Sequence, residues 1–206
     1  ENLRAVAQLP VDWLGLIFYE GSARFVGVEP GLASWLSTPP TPLRGKKRVG
    51  VFVNAAVPAI VQATTDYGLN LIQLHGQESP EEVMALRAQL AAHGLALVDL
   101  IKAFSVHDDF DFADTEPYAG LCDYFLFDTK GKLPGGTGEQ FDWTILDQYL
   151  GDTPFLLSGG IGPTDTGRVL DFDHPRCIGV DLNSRFEASP AVKDLDLLTT
   201  FLDALA

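Results

Sequence analysis

Asp128 closes the run Tyr124-Phe125-Leu126-Phe127, four apolar or aromatic residues in succession. A carboxyl there is partly desolvated, which disfavours its charged form and raises its pKa toward the range of a general acid near neutrality. The same position equally suits an N-cap or a surface aspartate in the following loop. Gly159 and Gly160, after Ser158, lack side chains, so their backbone N–H groups can approach an anion closely. Asn183 and Ser184 could add donors beside a short helix start, and the set suits a phosphate; Ser-Gly-Gly could instead simply turn a tight corner. The second glycine cluster, Gly135-Gly136-Thr137-Gly138, suits a mobile lid or a plain flexible loop. Neither cluster has Rossmann or P-loop spacing.

Of the histidines at 75, 93, 107 and 174, only His75 ends a strand-like run, where it suits a hydrogen-bonded structural group or a catalyst. His93 adjoins Gly94 at a helix end and fits a favourable C-terminal charge. His107 and His174 lie in polar loops and are expected to be solvated. Arg24 is either an ordinary surface cation or a clamp for a carboxylate. Cys122 and Cys177 are too few for a disulfide framework or a zinc site, and the expected setting is a reducing cytoplasm.

The elements that must position these groups alternate along the chain. Asn2 to Leu9 reads as a helix stopped by Pro10. Strand-like runs follow at 13–19, 49–53, 69–74, 97–103, 124–127, 155–157 and 178–180. Between them lie a weak helix at 33–36, a proline-rich loop from Pro39 to Pro42, and a helix from Pro58 to Tyr67. Ser79, Pro80 and Glu82 then spell a capping box, with Val83, Leu86 and Leu90 as the apolar stripe. An ill-defined acidic stretch covers 108–114, and helices are expected at 143–149 and 163–170. The last helix offers Leu198, Phe201, Leu202 and Leu205 on one face. One helix followed by seven βα units implies parallel strands with crossover helices, in an open doubly wound sheet or a closed barrel. The expected fold is α/β, a (βα)8 TIM barrel filling residues 1–206 as one domain and lacking strand 1.

The 206 residues carry 14 Lys+Arg against 28 Asp+Glu, a net charge of −14, which argues against binding a nucleic-acid backbone. A small anion needs only a local patch and remains compatible. At 46% hydrophobic and 10% aromatic the chain is not disordered. No run approaches the ~18 apolar residues of a membrane span, and no signal peptide is visible.

Taken in order, several segments resemble the motifs of phosphoribosylanthranilate isomerases. They are Phe18-Tyr19-Glu20-Gly21-Ser22-Ala23-Arg24-Phe25-Val26, Val49 to Asn54, Gln73-Leu74-His75-Gly76, and Phe127-Asp128-Thr129. Gly135 to Gly138 with Phe141-Asp142-Trp143, Leu157 to Gly160, and Gly179-Val180-Asp181-Leu182-Asn183-Ser184 complete the set. The resemblance implies an Amadori rearrangement of N-(5-phosphoribosyl)anthranilate to the 1-deoxyribulose product, without metal or organic cofactor. It implies that Asp128 protonates the furanose oxygen, that Arg24 holds the anthranilate carboxylate, and that His75 and Asp181 organise substrate or catalytic groups. Gly159, Gly160, Asn183 and Ser184 would bind the phosphate. The expected partner is a phosphorylated small molecule, with neither nucleic acid nor membrane, for a monomer or homodimer.

Two departures from the family pattern stand out. Arg185 replaces the glycine of a Ser-Ser-Gly-like run, and could add charge to the phosphate site or point away. The strand bearing a Lys-x-Cys-Gly-like motif, whose cysteine would remove the C2′ proton, is absent, and the sequence opens on Glu1 within a helix-like segment. At ~3.3 Å per strand residue, Cys177 lies roughly 13 Å below the Asp181 rim, and Cys122 is farther still from Asp128. The expectation is that these residues alone are inactive or strongly impaired. An indole-glycerol-phosphate synthase fits the strand-end residues poorly; a catalytically silent barrel that binds a phosphorylated ligand is the alternative from another class.

Overall fold

A computed structural model describes residues 1–27, 31–37, 43, 45–129 and 142–206. The Pro39–Pro42 loop, the Gly135–Gly138 cluster and Phe141 lie outside the described residues.

Seven strands form one sheet in sequence order: β1 (Trp13–Ile17), β2 (Lys47–Phe52), β3 (Leu71–Leu74), β4 (Asp99–Val106), β5 (Tyr124–Thr129), β6 (Phe155–Ser158) and β7 (Cys177–Val180). Every neighbouring pair is parallel. A doubly wound sheet reverses its order at a switch point, whereas this one advances steadily, as the strands of a barrel do. The observed sheet is thus seven strands of a TIM-like α/β fold, and among the described residues β7 does not pair with β1.

The two faces of the sheet bury different sets. Val49, Leu71, Ile101, Ala103 and Leu126 gather on the inner face, with Trp13, Tyr124 and Leu156 packed against them. The alternate residues, among them Ile72, Leu74, Leu100, Phe125, Phe127 and Phe155, join the larger core beneath the helices. Strand alternation sorts one hydrophobic run into both layers.

The helices follow their local signals with some displacement. α1 (Asn2–Val6) and α2 (Leu32–Ser37) are short. α3 (Val57–Tyr67) buries Ile60, Val61 and Thr64 and ends at Gly68. α4 (Pro80–Ala92) has the full capping box: Glu82 N–H donates to Ser79 Oγ at 3.3 Å, Ser79 N–H donates to Glu82 Oε2 at 2.7 Å, and Val83, Leu86 and Leu90 are buried. The crossovers after β4 and β5 carry 3-10 helices, Phe112–Tyr118 and Trp143–Gln148, where the sequence suggested an ill-defined stretch and an α-helix. α5 (Thr166–Asp171) starts later than Pro163, because Asp165 Oδ2 accepts from Gly162 N–H at 2.7 Å and holds 162–165 in a turn. α6 (Leu195–Leu205) buries Leu198 and Phe201, while Leu202 and Leu205 stay part-exposed.

A feature the sequence did not announce is the antiparallel hairpin of β8 (Glu187–Ser189) and β9 (Val192–Lys193). It meets the start of the chain: the Asn2 side-chain amide donates to Lys193 O at 2.9 Å, and Lys193 N–H donates to Asn2 Oδ1 at 2.8 Å.

Candidate active site

The parity of the inner face decides which side chains reach the carboxyl ends of the strands. Leu71, Leu126 and Leu156 face inward, so Gln73, His75, Asp128 and Ser158, two or four residues on, face the same way. Leu156 pairs with Gly179, which puts Asp181 on that side as well. The ladder continues past the strand ends: His75 N–H donates to Phe52 O and Asp181 N–H to Leu157 O, both at 2.8 Å.

One cavity of 230 Å³ collects His75, Asp128, Ser158, Gly159, Gly160, Ile161, Asp181, Asn183 and Ser184. Seven of these were singled out from the sequence for the site; Ser158 and Ile161 were not. Ser158 was legible in principle, since it lies two residues beyond inward Leu156. His75 Nε2 stands 3.6 Å from Asp128 Oδ2, and Gln73 Nε2 stands 2.7 Å from His75 Nδ1. Ser158 Oγ donates to Asp181 Oδ2 at 2.9 Å. Burial pushes the Asp181 carboxyl up from its ordinary value; the Ser158 hydrogen bond and the nearby Lys193 and His75 oppose this, and Asp128 adds to it.

The turns that shape the cavity depend on glycine at two places. Gly159 has φ +98°, and a Cβ there would lie 2.1 Å from Thr129 O; the Thr129 hydroxyl also donates to Ser158 O at 2.9 Å. At Gly76 a Cβ would meet Asn54 Oδ1 at 2.3 Å. Asn54 itself, with φ 49°, accepts from Gln77 N–H at 2.7 Å and donates its own N–H to Glu78 Oε1 at 2.8 Å. Glu78 accepts from Gly76 N–H at 3.0 Å and pairs with buried Lys102 at 3.2 Å. Asn54 and Glu78 therefore tie down the loop that carries His75.

Arg24 is not brought to the cavity wall. Its Nε donates to both Glu187 oxygens at 2.9 Å, and Lys193 Nζ reaches the same carboxylate at 3.1 Å and Asn183 Oδ1 at 2.6 Å. Burial alone would raise Glu187, but the hydrogen bonds and charges of Arg24 and Lys193 outweigh it and hold the carboxyl at about 2. Arg185 is exposed, its Cδ near Gly162, and it does not line the cavity.

Cys122 precedes β5 and Cys177 opens β7, so both sit at the amino ends of the strands, away from Asp128 and Asp181. Burial pushes the Cys122 thiol up to about 12 and raises Cys177 as well. His174 corrects the expectation of a solvated loop: it is part-buried, with its ring 4.9 Å from that of Phe155. His107 is exposed and paired with Asp109 at 2.9 Å, and the His93 ring contacts Gln89 O at 2.8 Å at the end of α4. Among the described residues no group of three His, Cys, Asp or Glu is arranged to hold a metal, and no helix is long and apolar enough to cross a membrane.

The family model described as N-(5'-phosphoribosyl)anthranilate isomerase matches residues 1–204. A curated N-(5'-phosphoribosyl)anthranilate isomerase of Parabacteroides distasonis is 45% identical, over 100% of this chain and 88% of its own length. The crystal structure of phosphoribosyl anthranilate isomerase from Thermus thermophilus superposes with a TM-score of 0.76 at 25% identity, over 98% of this chain and 91% of the other. A related isomerase in complex with reduced 1-(o-carboxyphenylamino)-1-deoxyribulose 5-phosphate gives 0.73 at 28% identity, over the same shares of 98% and 91%.

Proposed function

The chain belongs to the N-(5'-phosphoribosyl)anthranilate isomerase family, aldose–ketose isomerases of tryptophan biosynthesis, and from that premise we propose that Asp128 is the general acid of its reaction. The observation that supports this reading is one cavity joining Asp128, His75 and Asp181 to the Ser158-Gly159-Gly160 turn. Asp128 delivers a proton to the furanose ring oxygen as the C1′–O bond breaks, opening the sugar to a Schiff base. Loss of the C2′ proton to a base then gives the enolamine, which becomes the ketone. Gly159, Gly160, Asn183 and Ser184 receive the phosphate. Arg24 receives the anthranilate carboxylate in competition with Glu187, which the guanidinium already holds. The ligand of the related complex, with a carboxylate on its ring and a phosphate on its sugar, is consistent with two such anchoring points.

The second step needs a base for the C2′ proton. In the family resemblance it is a strand-borne cysteine, and neither cysteine of these 206 residues reaches the rim. We place the strand that would carry it between β7 and β1, whose facing edges are unpaired among the described residues.

Asp128→Asn tests the assignment. The variant should keep its fold and its affinity for a reduced product analogue, yet lose at least about 100-fold in whatever turnover the parent shows. Equal turnover of parent and variant would remove Asp128 from the chemistry. Tight binding with no turnover in either would instead mark a silent binding barrel.

A further inference from the structure

Gln73 is a buried amide on the inner face of β3 to which the proposed reaction gives no role. Its Nε2 lies 2.7 Å from His75 Nδ1. An amide nitrogen offers two hydrogens and no lone pair, so this contact requires Nδ1 to be the acceptor. The neutral ring then carries its single proton on Nε2, the nitrogen that stands 3.6 Å from Asp128 Oδ2. We propose that Gln73 is a positioning residue that holds His75 as the neutral Nε2–H tautomer, so that the ring presents a donor to Asp128. The catalytic part of this inference rests on Asp128 being the general acid.

The chemistry follows from where charge develops. As Asp128 gives its proton to the ring oxygen it becomes a carboxylate facing an N–H, and a slight approach from 3.6 Å closes a charge-assisted hydrogen bond. That interaction is stronger after proton delivery than before, which lowers the barrier rather than merely the ground state. No proton leaves the imidazole. The opposite tautomer would aim a lone pair at the new carboxylate.

The groups facing His75 are Asp128 from β5 and Asp181 from β7, with the Glu78–Lys102 pair behind the Gly76 turn. Among these neighbours only Gln73 distinguishes one neutral tautomer from the other at Nδ1.

Long-range proton–nitrogen correlation spectra of the nitrogen-15-labelled chain near neutral pH read the tautomer directly. The parent should show an unprotonated, pyridine-like Nδ1 and a protonated, pyrrole-like Nε2 for His75. Gln73→Glu offers only an acceptor and should convert Nδ1 to the protonated form; Gln73→Met, similar in volume, should give a mixture of tautomers and lower kcat about tenfold with KM within about twofold. A protonated Nδ1 in the parent, meaning that the amide presents its oxygen instead, would overturn the proposal, and so would a Met variant with the parent's tautomer. The parent spectrum decides even if neither variant folds. A failed Asp128→Asn test would remove the catalytic consequence and leave the tautomer standing, so the two failures are distinguishable.

Discussion

An alanine Cβ at position 159 would lie 2.1 Å from Thr129 O and 2.5 Å from Thr129 N, on a backbone already at φ +98°. Both atoms belong to the backbone of β5, so nothing flexible can give way. Gly159→Ala should cost at least ~2 kcal/mol and weaken phosphate-ligand binding, since the turn must shift to relieve the clash. Paired thermal melts and ligand titrations check both. Glu187 makes a prediction about acid. Its folded value of about 2 lies below its ordinary 4.5, so its stabilising effect is full above pH 4.5 and fades as pH falls toward 2. Melting temperatures across that window should fall more steeply for the parent than for Glu187→Gln. Parallel curves would show that the Arg24–Glu187–Lys193 cluster adds nothing to stability.

Among the elements, α4 was the most legible because its start is written in consecutive residues. Ser79→Ala removes the acceptor for Glu82 N–H and should cost about 1 kcal/mol, or ~2–4 °C in Tm for a chain of this size. The strands were legible because hydrophobic runs, though not their register, are local. The inward positions of Asp128 and Asp181 became readable only once the sheet showed which parity of each strand faces inward. Arg24 was harder to place, because its partner Glu187 is 163 residues away. The hairpin carrying Glu187 and Lys193 has strands of three and two residues, too short to show any period. The 3-10 turns at Phe112–Tyr118 and Trp143–Gln148 were missed for a different reason: apolar spacing alone does not distinguish them from a short α-helix.

For the molecule as a whole, seven parallel strands leave one open ladder edge on β1 and another on β7 among the described residues. Open edges template pairing with other chains. The 206-residue chain should therefore self-associate as its concentration rises, which sedimentation or light scattering would detect; a strictly monomeric species at high concentration would mean that the edges are covered. What spans the two ends of the sheet here is polar: Arg24 to Glu187, and Asn2 to Lys193. The second contact joins residues 191 positions apart. During synthesis at about 5–20 residues per second, α1 emerges roughly 10–40 s before its partner has been made. The helix thus waits through the synthesis of all seven strands of the sheet before the hairpin that receives it exists.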